Sequence, residues 1–180
     1  MNPFELFGIL MTAHLENESS IKERYQLLTK QKPEDSADLN RAYQLLLSPG
    51  QRLKCLLEQR FGQAFTLKGP VPNSLIELFS KVGEATQAAD IVIAKKSKAS
   101  TALAEAILAP SQLDVQKVIG VVMVSVNREW ESCLQQLSKV DEGLLTENPD
   151  TLLYGATLCR KLIYLEKWRQ QLQICIHALI

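Results

Sequence analysis

"VIGVVMVSV", residues 118 to 126, is the stretch whose reading decides the fold class. Its density of β-branched side chains would suit a buried strand. A single strand has no ladder partner, however, and no other segment of the chain reads as one. The wider register favours a helix: Val118, Val122, Val126, Trp130, Leu134 and Leu137 share one helical stripe that reaches to about Val140. The chain is therefore read as all-α.

Working outward, Pro110-Ser111 with Asp114 marks the start of this helix. The preceding run Lys95-Lys96-Ser97-Lys98 is either a break or a solvated helix face, and the solvated face is the commoner meaning of such a run. Before it, Ser74-Leu-Ile-Glu77 has the pattern of a capping box, in which a serine oxygen and a glutamate carboxylate satisfy each other's backbone N–H groups. The helix opened there holds Leu75, Leu78, Val82, Ala85, Ala89 and Val92 on one side. At the other end, Asn148-Pro149-Asp150 caps a final helix running nearly to Ile180, striped by Leu158, Leu162, Leu165, Leu172, Cys175 and Leu179. At 1.5 Å per residue it spans roughly 45 Å. A helix of that length needs partners along it, and an antiparallel three-helix bundle with the two preceding helices supplies them.

Residues 62 to 73, "GQAFTLKGPVPN", hold two glycines and two prolines and read as a linker stiffened at Pro70 and Pro72. The partition expected is 1–62, a linker over 63–73, and a bundle over 74–180. In the first part, Phe4, Leu6 and Phe7 form a short apolar segment closed by Gly8. Ser20-Ile-Lys-Glu23 is another capping-box pattern, followed by Ile21, Tyr25 and Leu28 on one face. Pro33 stops that helix by disfavouring helical geometry at Lys32. Asp35 or Ser36 caps the next, striped by Leu39, Ala42 or Tyr43, and Leu46. Ser48-Pro49 opens a fourth helix carrying Leu53, Leu56 and Leu57, and Gly62 ends it.

Composition narrows the function classes. The 20 basic and 20 acidic residues balance, with 8 of each up to Gly62 and 12 of each beyond it. A phosphate-tracking surface needs a basic excess, so no nucleic-acid partner is expected. Cys55, Cys133, Cys159 and Cys175 are widely spaced inside apolar patterns, as reduced buried thiols of a cytoplasmic protein would be. No metal-ligand spacing, P-loop, nucleophile elbow or glycine-rich fingerprint is present, and neither a cofactor nor catalysis is expected. His14 falls in a loop-like segment and His177 on the last helical turn, both read as surface residues. The N-terminus "MNPFELFGIL" lacks a basic leader, and no apolar run reaches membrane-spanning length, so no membrane association is expected.

With those residues in place, the chain resembles a family. "NPFELFGI", residues 2 to 9, is similar to the opening of a J-domain, the helical hairpin that docks on DnaK-class chaperones, and its Phe4-Glu-Leu6-Phe7-Gly8 spacing resembles the HscB-type iron–sulfur co-chaperones. "YQLLTKQKPED" resembles helix II and its loop, and "LNRAYQLLLSPGQRLKCLLE" resembles helices III and IV. Near the other end "CRKLIYLEKWRQQL" is similar to the family's Arg-Lys-Leu-x-Phe-Leu-x-Lys segment, here Arg160, Lys161, Leu162, Tyr164, Leu165 and Lys167. The matches come in the family's order, while residues 90 to 150 match none of its segments.

The resemblance implies a J-domain-like helical hairpin followed by an antiparallel three-helix bundle, with two docking surfaces. The chaperone-facing loop of the family carries His-Pro-Asp. Here Lys32-Pro33-Glu34 replaces it, or, counted without a gap, Pro33 and Asp35 take the outer positions; no histidine is present either way. The helix leading to it offers Lys22, Arg24, Lys30 and Lys32, a modest basic face. The bundle's contact surface for an iron–sulfur scaffold protein corresponds to Ile76, Leu78, Phe79, Val82 and Tyr164. Among these, Leu78 and Val82 suit the core and the two aromatics suit an interface. The expectation is a non-enzymatic, co-chaperone-like adaptor with weak or absent activation of a DnaK-class ATPase. The alternatives are a working co-chaperone with a divergent loop, and an unrelated all-α interaction protein.

Overall fold

The computed structural model describes residues 2–14, 18–31, 35–70 and 72–180. The regular elements among these residues are all helical: α1 (Pro3–Leu6), α2 (Glu18–Gln31), α3 (Ser36–Leu47), α4 (Pro49–Phe61), α5 (Ile76–Lys96), α6 (Ala102–Gln135), α7 (Leu137–Leu145) and α8 (Thr151–Leu179). Short 3₁₀ turns at Gly62–Ala64 and Asn73–Leu75 flank the proline-rich segment. The all-α expectation is met, and residues 118 to 126 lie wholly inside α6.

Several boundaries follow from local chemistry. Asn2 accepts from the Phe4 N–H and starts α1, whose exit turns at Gly8 with φ 57°. Ser48 accepts from the Gln51 N–H, with Pro49 in the first turn of α4. Gly62 closes that helix at φ 53°, a conformation glycine adopts without the Cβ penalty. Asp150 donates its N–H to the Asn148 Oδ1 just ahead of α8.

Other boundaries correct the expectation. Neither capping box forms as the sequence suggests. Ser20 lies inside α2, which already begins at Glu18. Ser74 sits in a 3₁₀ turn, α5 starts without a side-chain cap, and Glu77 instead pairs with Lys81 at 2.6 Å. Asp35 occupies the N-cap of α3 without a side-chain bond. The lysine run is a break, since α5 ends at Lys96 and the chain turns before Ala102. Pro110 does not restart α6 but lies within it. Its side is exposed, so water can satisfy the carbonyl one turn back that a proline leaves without an N–H. The stripe expected along α6 holds at Val122, Val126 and Trp130 and continues to Leu137 and Val140 in α7, all buried. It departs at Val118, 49% exposed, and at Leu134, half-buried, beside which Ile119 and Cys133 are buried instead. Because α6 continues through Pro110, Ala102–Leu145 contains a stretch long and apolar enough to cross a membrane by length and composition, contrary to the expectation from sequence.

The chain divides into two compact units, Met1–Gly69 with Cys133–Ile163, and Pro70–Ser132 with Tyr164–Ile180. Residues 133–163 thus group with the N-terminal helices, whereas a boundary at the proline-rich segment alone would assign them to the bundle.

The first unit is held by apolar stripes and by polar ties that are long in sequence. Phe4, Ile21, Leu39, Leu46, Leu53, Leu56 and Leu57 are fully buried. Arg52, only 2% exposed, donates from Nε to the Ala13 carbonyl at 3.0 Å and from Nη1 to the Leu46 carbonyl. Asp141 on α7 accepts from the Ala13 and His14 N–H groups at 2.7 and 2.9 Å. Gly155 on α8 lets Leu57 approach so closely that a Cβ there would lie 3.0 Å from its Cδ2. The Cys159 thiol donates to the Gly50 carbonyl at 3.4 Å beside it.

The second unit is built on aliphatic and aromatic stripes. Leu75, Leu78, Val82, Ala85, Ala89 and Val92, the register read from sequence, are all buried on or beside α5. Ile119, Val122, Val126 and Trp130 come from α6, and Leu165, Trp168, Leu172, Cys175 and Leu179 from α8.

Candidate functional site

The second unit presents the aromatic cluster with the clearest binding character. Trp168, on α8, is 4% exposed and forms its floor. The Phe79 ring lies 6.0 Å from it at 44°, and the Tyr164 ring 5.9 Å away at 31°. These separations fall in the range aromatic pairs prefer. Phe79 is nonetheless 56% exposed and Ile76, one turn earlier, 55% exposed. Tyr164 is half-buried. The five bundle residues singled out in the sequence therefore separate: Ile76, Phe79 and Tyr164 reach the surface, while Leu78 and Val82 belong to the core.

Trp168 is missed by the sequence pattern. It sits between Leu165 and Leu172, a step of seven that the aliphatic stripe crosses without it. The available signal is Tyr164 and Trp168 at i, i+4, the spacing that brings two side chains together on a helix. Next to it, Arg169 lies 4.9 Å above the Trp130 ring and donates from Nε to Asn127 Oδ1 at 2.8 Å. Arg169 thereby secures α8 to α6 within the unit.

The expected chaperone-facing residues present a different picture. Lys32, Pro33 and Glu34 lie outside the described residues. Asp35 is exposed. Lys22 and Lys30 are on α2 as expected, and both are exposed. Arg24 instead serves the fold: its Nη1 donates to the Phe7 and Gly8 carbonyls. A Cβ at Gly8 would meet that nitrogen at 3.1 Å, a second reason for glycine there. Tyr25 and Tyr43 stack at 4.4 Å, joining α2 to α3, and the Tyr25 hydroxyl donates to Asn40 Oδ1.

A groove of about 610 Å³ in the first unit is lined by Gly8, Leu10, His14, Arg24 and Asp141, among others. Two of its charged groups are committed to backbone partners, Arg24 to carbonyls and Asp141 to amides. No group of three or more His, Cys, Asp or Glu side chains gathers among the described residues in a way that could hold a metal ion. The thiols are poorly suited to nucleophilic work. Burial raises Cys55, Cys159 and Cys175 above the ordinary value, and Cys159 is pushed up to about 12.

Arg160, from the segment resembling the family's bundle motif, packs its guanidinium against Gly69, where a Cβ would lie 3.1 Å from Cζ. It also donates from Nη2 to Thr157 Oγ1 at 3.1 Å. Its basic character is thus applied to the linker within the first unit. No protein-family model and no curated protein matches this chain.

Proposed function

We propose that the chain is a non-enzymatic, co-chaperone-like adaptor that acts in the cytoplasm, and that its second unit binds a partner protein, an iron–sulfur scaffold, through Ile76, Phe79 and Tyr164. The observation that carries this reading is the Phe79–Trp168–Tyr164 cluster, with Phe79 more than half exposed beside a buried tryptophan. Large aromatic anchors over a packed floor are where binding energy concentrates in protein interfaces. The fold that frames it is proposed as a J-domain-like hairpin of α2 and α3 and an antiparallel bundle of α5, α6 and α8. Supporting the antiparallel course of α6 and α8, Asn127 meets Arg169, while Met123 lines one groove with Ile174.

The hairpin side of the adaptor is proposed to be weak or silent toward a DnaK-class ATPase. Lys32-Pro33-Glu34 puts an ammonium where the family has a flat imidazole, and a carboxylate one methylene further out. Arg24 is engaged with the Phe7 and Gly8 carbonyls, which leaves Lys22 and Lys30 as the basic groups of α2 facing solvent.

The test is capture of the host's purified iron–sulfur scaffold by wild type and by the Phe79→Ala/Tyr164→Ala double variant. Wild type should retain the scaffold and the double variant should lose it, with helical circular dichroism unchanged. Loss of helicity in the double variant would make the cluster core, and no capture by wild type would remove the scaffold as partner. Single-turnover hydrolysis by the host's DnaK-class chaperone should not be stimulated; stimulation abolished by Pro33→Ala would restore the working co-chaperone.

A further inference from the structure

The outer face of α6 carries a pattern that the adaptor reading does not use. Leu103, Ile107, Pro110, Asp114, Lys117, Val121, Val124 and Arg128 are all exposed. They follow one another in alternating steps of four and three, the spacing of a coiled-coil seam. Leu103, Ile107, Val121 and Val124 are 73%, 69%, 70% and 59% exposed, an apolar content unusual for a helix face meeting only water. The flanking Leu113 and Val118 are 52% and 49% exposed. From residue 103 to 128 the seam runs about 38 Å at 1.5 Å per residue.

The arrangement of the seam is symmetric about a point between residues 115 and 116. Asp114 and Lys117 are equally distant from that point, as are Pro110 and Val121, Ile107 and Val124, and Leu103 and Arg128. Laid antiparallel on a second copy about a two-fold axis through that point, each Asp114 comes level with a Lys117, and apolar residues come level with apolar residues. Leu103 meets the aliphatic stem of Arg128, a side chain that covers apolar surface while its charge stays wet. This self-complementarity is what an isologous two-fold interface requires. Within one chain Lys117 and Asp114 already approach to 3.6 Å, both well exposed, so pairing two chains would make a four-charge cluster of alternating sign. A parallel pair would instead set like charges level with one another.

The same charges argue against lipid as the occupant. The stretch within Ala102–Leu145 has a mean hydropathy of 1.3 and is only 11% buried, so composition alone would admit a bilayer. Asp114 and Lys117 stand at the centre of the exposed stripe, however, where burial in hydrocarbon costs most. A second copy satisfies those two groups, and lipid tails cannot.

We infer that α6 is an antiparallel self-association surface, and that two copies of the chain pair through Leu103–Arg128 with Asp114 of each facing Lys117 of the other. Sedimentation velocity over a concentration series tests it with two single variants of the full-length chain, Asp114→Lys and Lys117→Asp. Each alone sets like charges level at both central positions. Juxtaposition of that kind should weaken pairing by about 100-fold or more. Mixed in equal amounts, the two variants should form a heterodimer, because both central lysines of one chain then face both central aspartates of the other. All four samples should keep the same helical circular dichroism, since both positions are exposed. The inference is overturned if wild type stays monomeric throughout the series, if either single variant pairs as wild type does, or if mixing restores nothing. It is also overturned if wild type floats with phosphatidylcholine vesicles in preference to pairing.

Discussion

The two units are stabilised in different ways. The first contains both polar residues buried among the described side chains, Arg52 and Thr151, and uses Arg52, Asp141 and Arg24 to secure backbone carbonyls and amides of the segment after α1. The second buries apolar side chains throughout. It also leaves apolar surface outside: eleven of the fifteen large apolar side chains found exposed belong to it, although it is the smaller unit. Polar ties finish a structure, because each one satisfies a specific backbone group that would otherwise cost free energy. Exposed apolar stripes leave one unfinished. The first unit is closed on itself, and the second leaves apolar surface exposed, as the proposed binding role requires.

That contrast is sharpest at Arg52. Replacing it by methionine keeps much of the apolar stem but strips the Ala13 and Leu46 carbonyls of their donor in a buried setting. The expected loss is about 3 kcal/mol of stability, measured by urea unfolding. A loss below about 1 kcal/mol would mean that water reaches those carbonyls and the first unit is not closed in this way.

Cys159 tests the same closure through protons. Its thiol is held neutral by burial, with the folded value near 12 against an ordinary 9.0. Between those two values the folded chain keeps a proton that the unfolded chain has lost. Stability should therefore be unaffected by this group below pH 9.0 and fall as pH rises toward 12. The steepest slope is on the order of 1 kcal/mol per pH unit. Cys159→Ala should flatten that part of the pH–stability curve, whereas an unchanged slope would show that other groups set it. In the native state Cys55, half-buried, should react with iodoacetamide before Cys159 does.

Phe79 should behave in the opposite manner. At 56% exposure it contributes little to holding the unit, and Phe79→Ala is expected to cost about 1 kcal/mol or less in unfolding. A much larger cost would transfer it from surface to core and erase the contrast between the units.

How far the sequence carries these features depends on the range of the interaction. The α5 and α8 stripes are legible because each has one apolar side: Leu75 to Val92, and Leu158 to Leu179, are buried as their spacing implies. The α6 stripe is legible from Val122 to Trp130 but fails at Val118, because "VIGVVMVSV" is apolar all round and periodicity then cannot choose between Val118 and Ile119. The passage of α6 through Pro110 is tolerated because that side is exposed, which a local pattern does not contain. The lysine run reads the same whether it ends a helix at Lys96 or lies on a solvated face. The polar ties are invisible for a different reason. Arg52 lies 39 residues from Ala13, and Asp141 lies 128 from it, so no window of sequence brings them together. In the candidate site, the family resemblance points to Phe79 and Tyr164 but passes over the tryptophan between them.

The claim that the second unit is the binding unit is tested most directly by amide hydrogen exchange on the full-length chain, with and without the purified iron–sulfur scaffold. Protection on adding the scaffold should be confined to the amides around Ile76–Val82 and Tyr164–Trp168, with α2 and α3 exchanging as in the free chain. Protection centred on α2 and α3, or none anywhere, would contradict it.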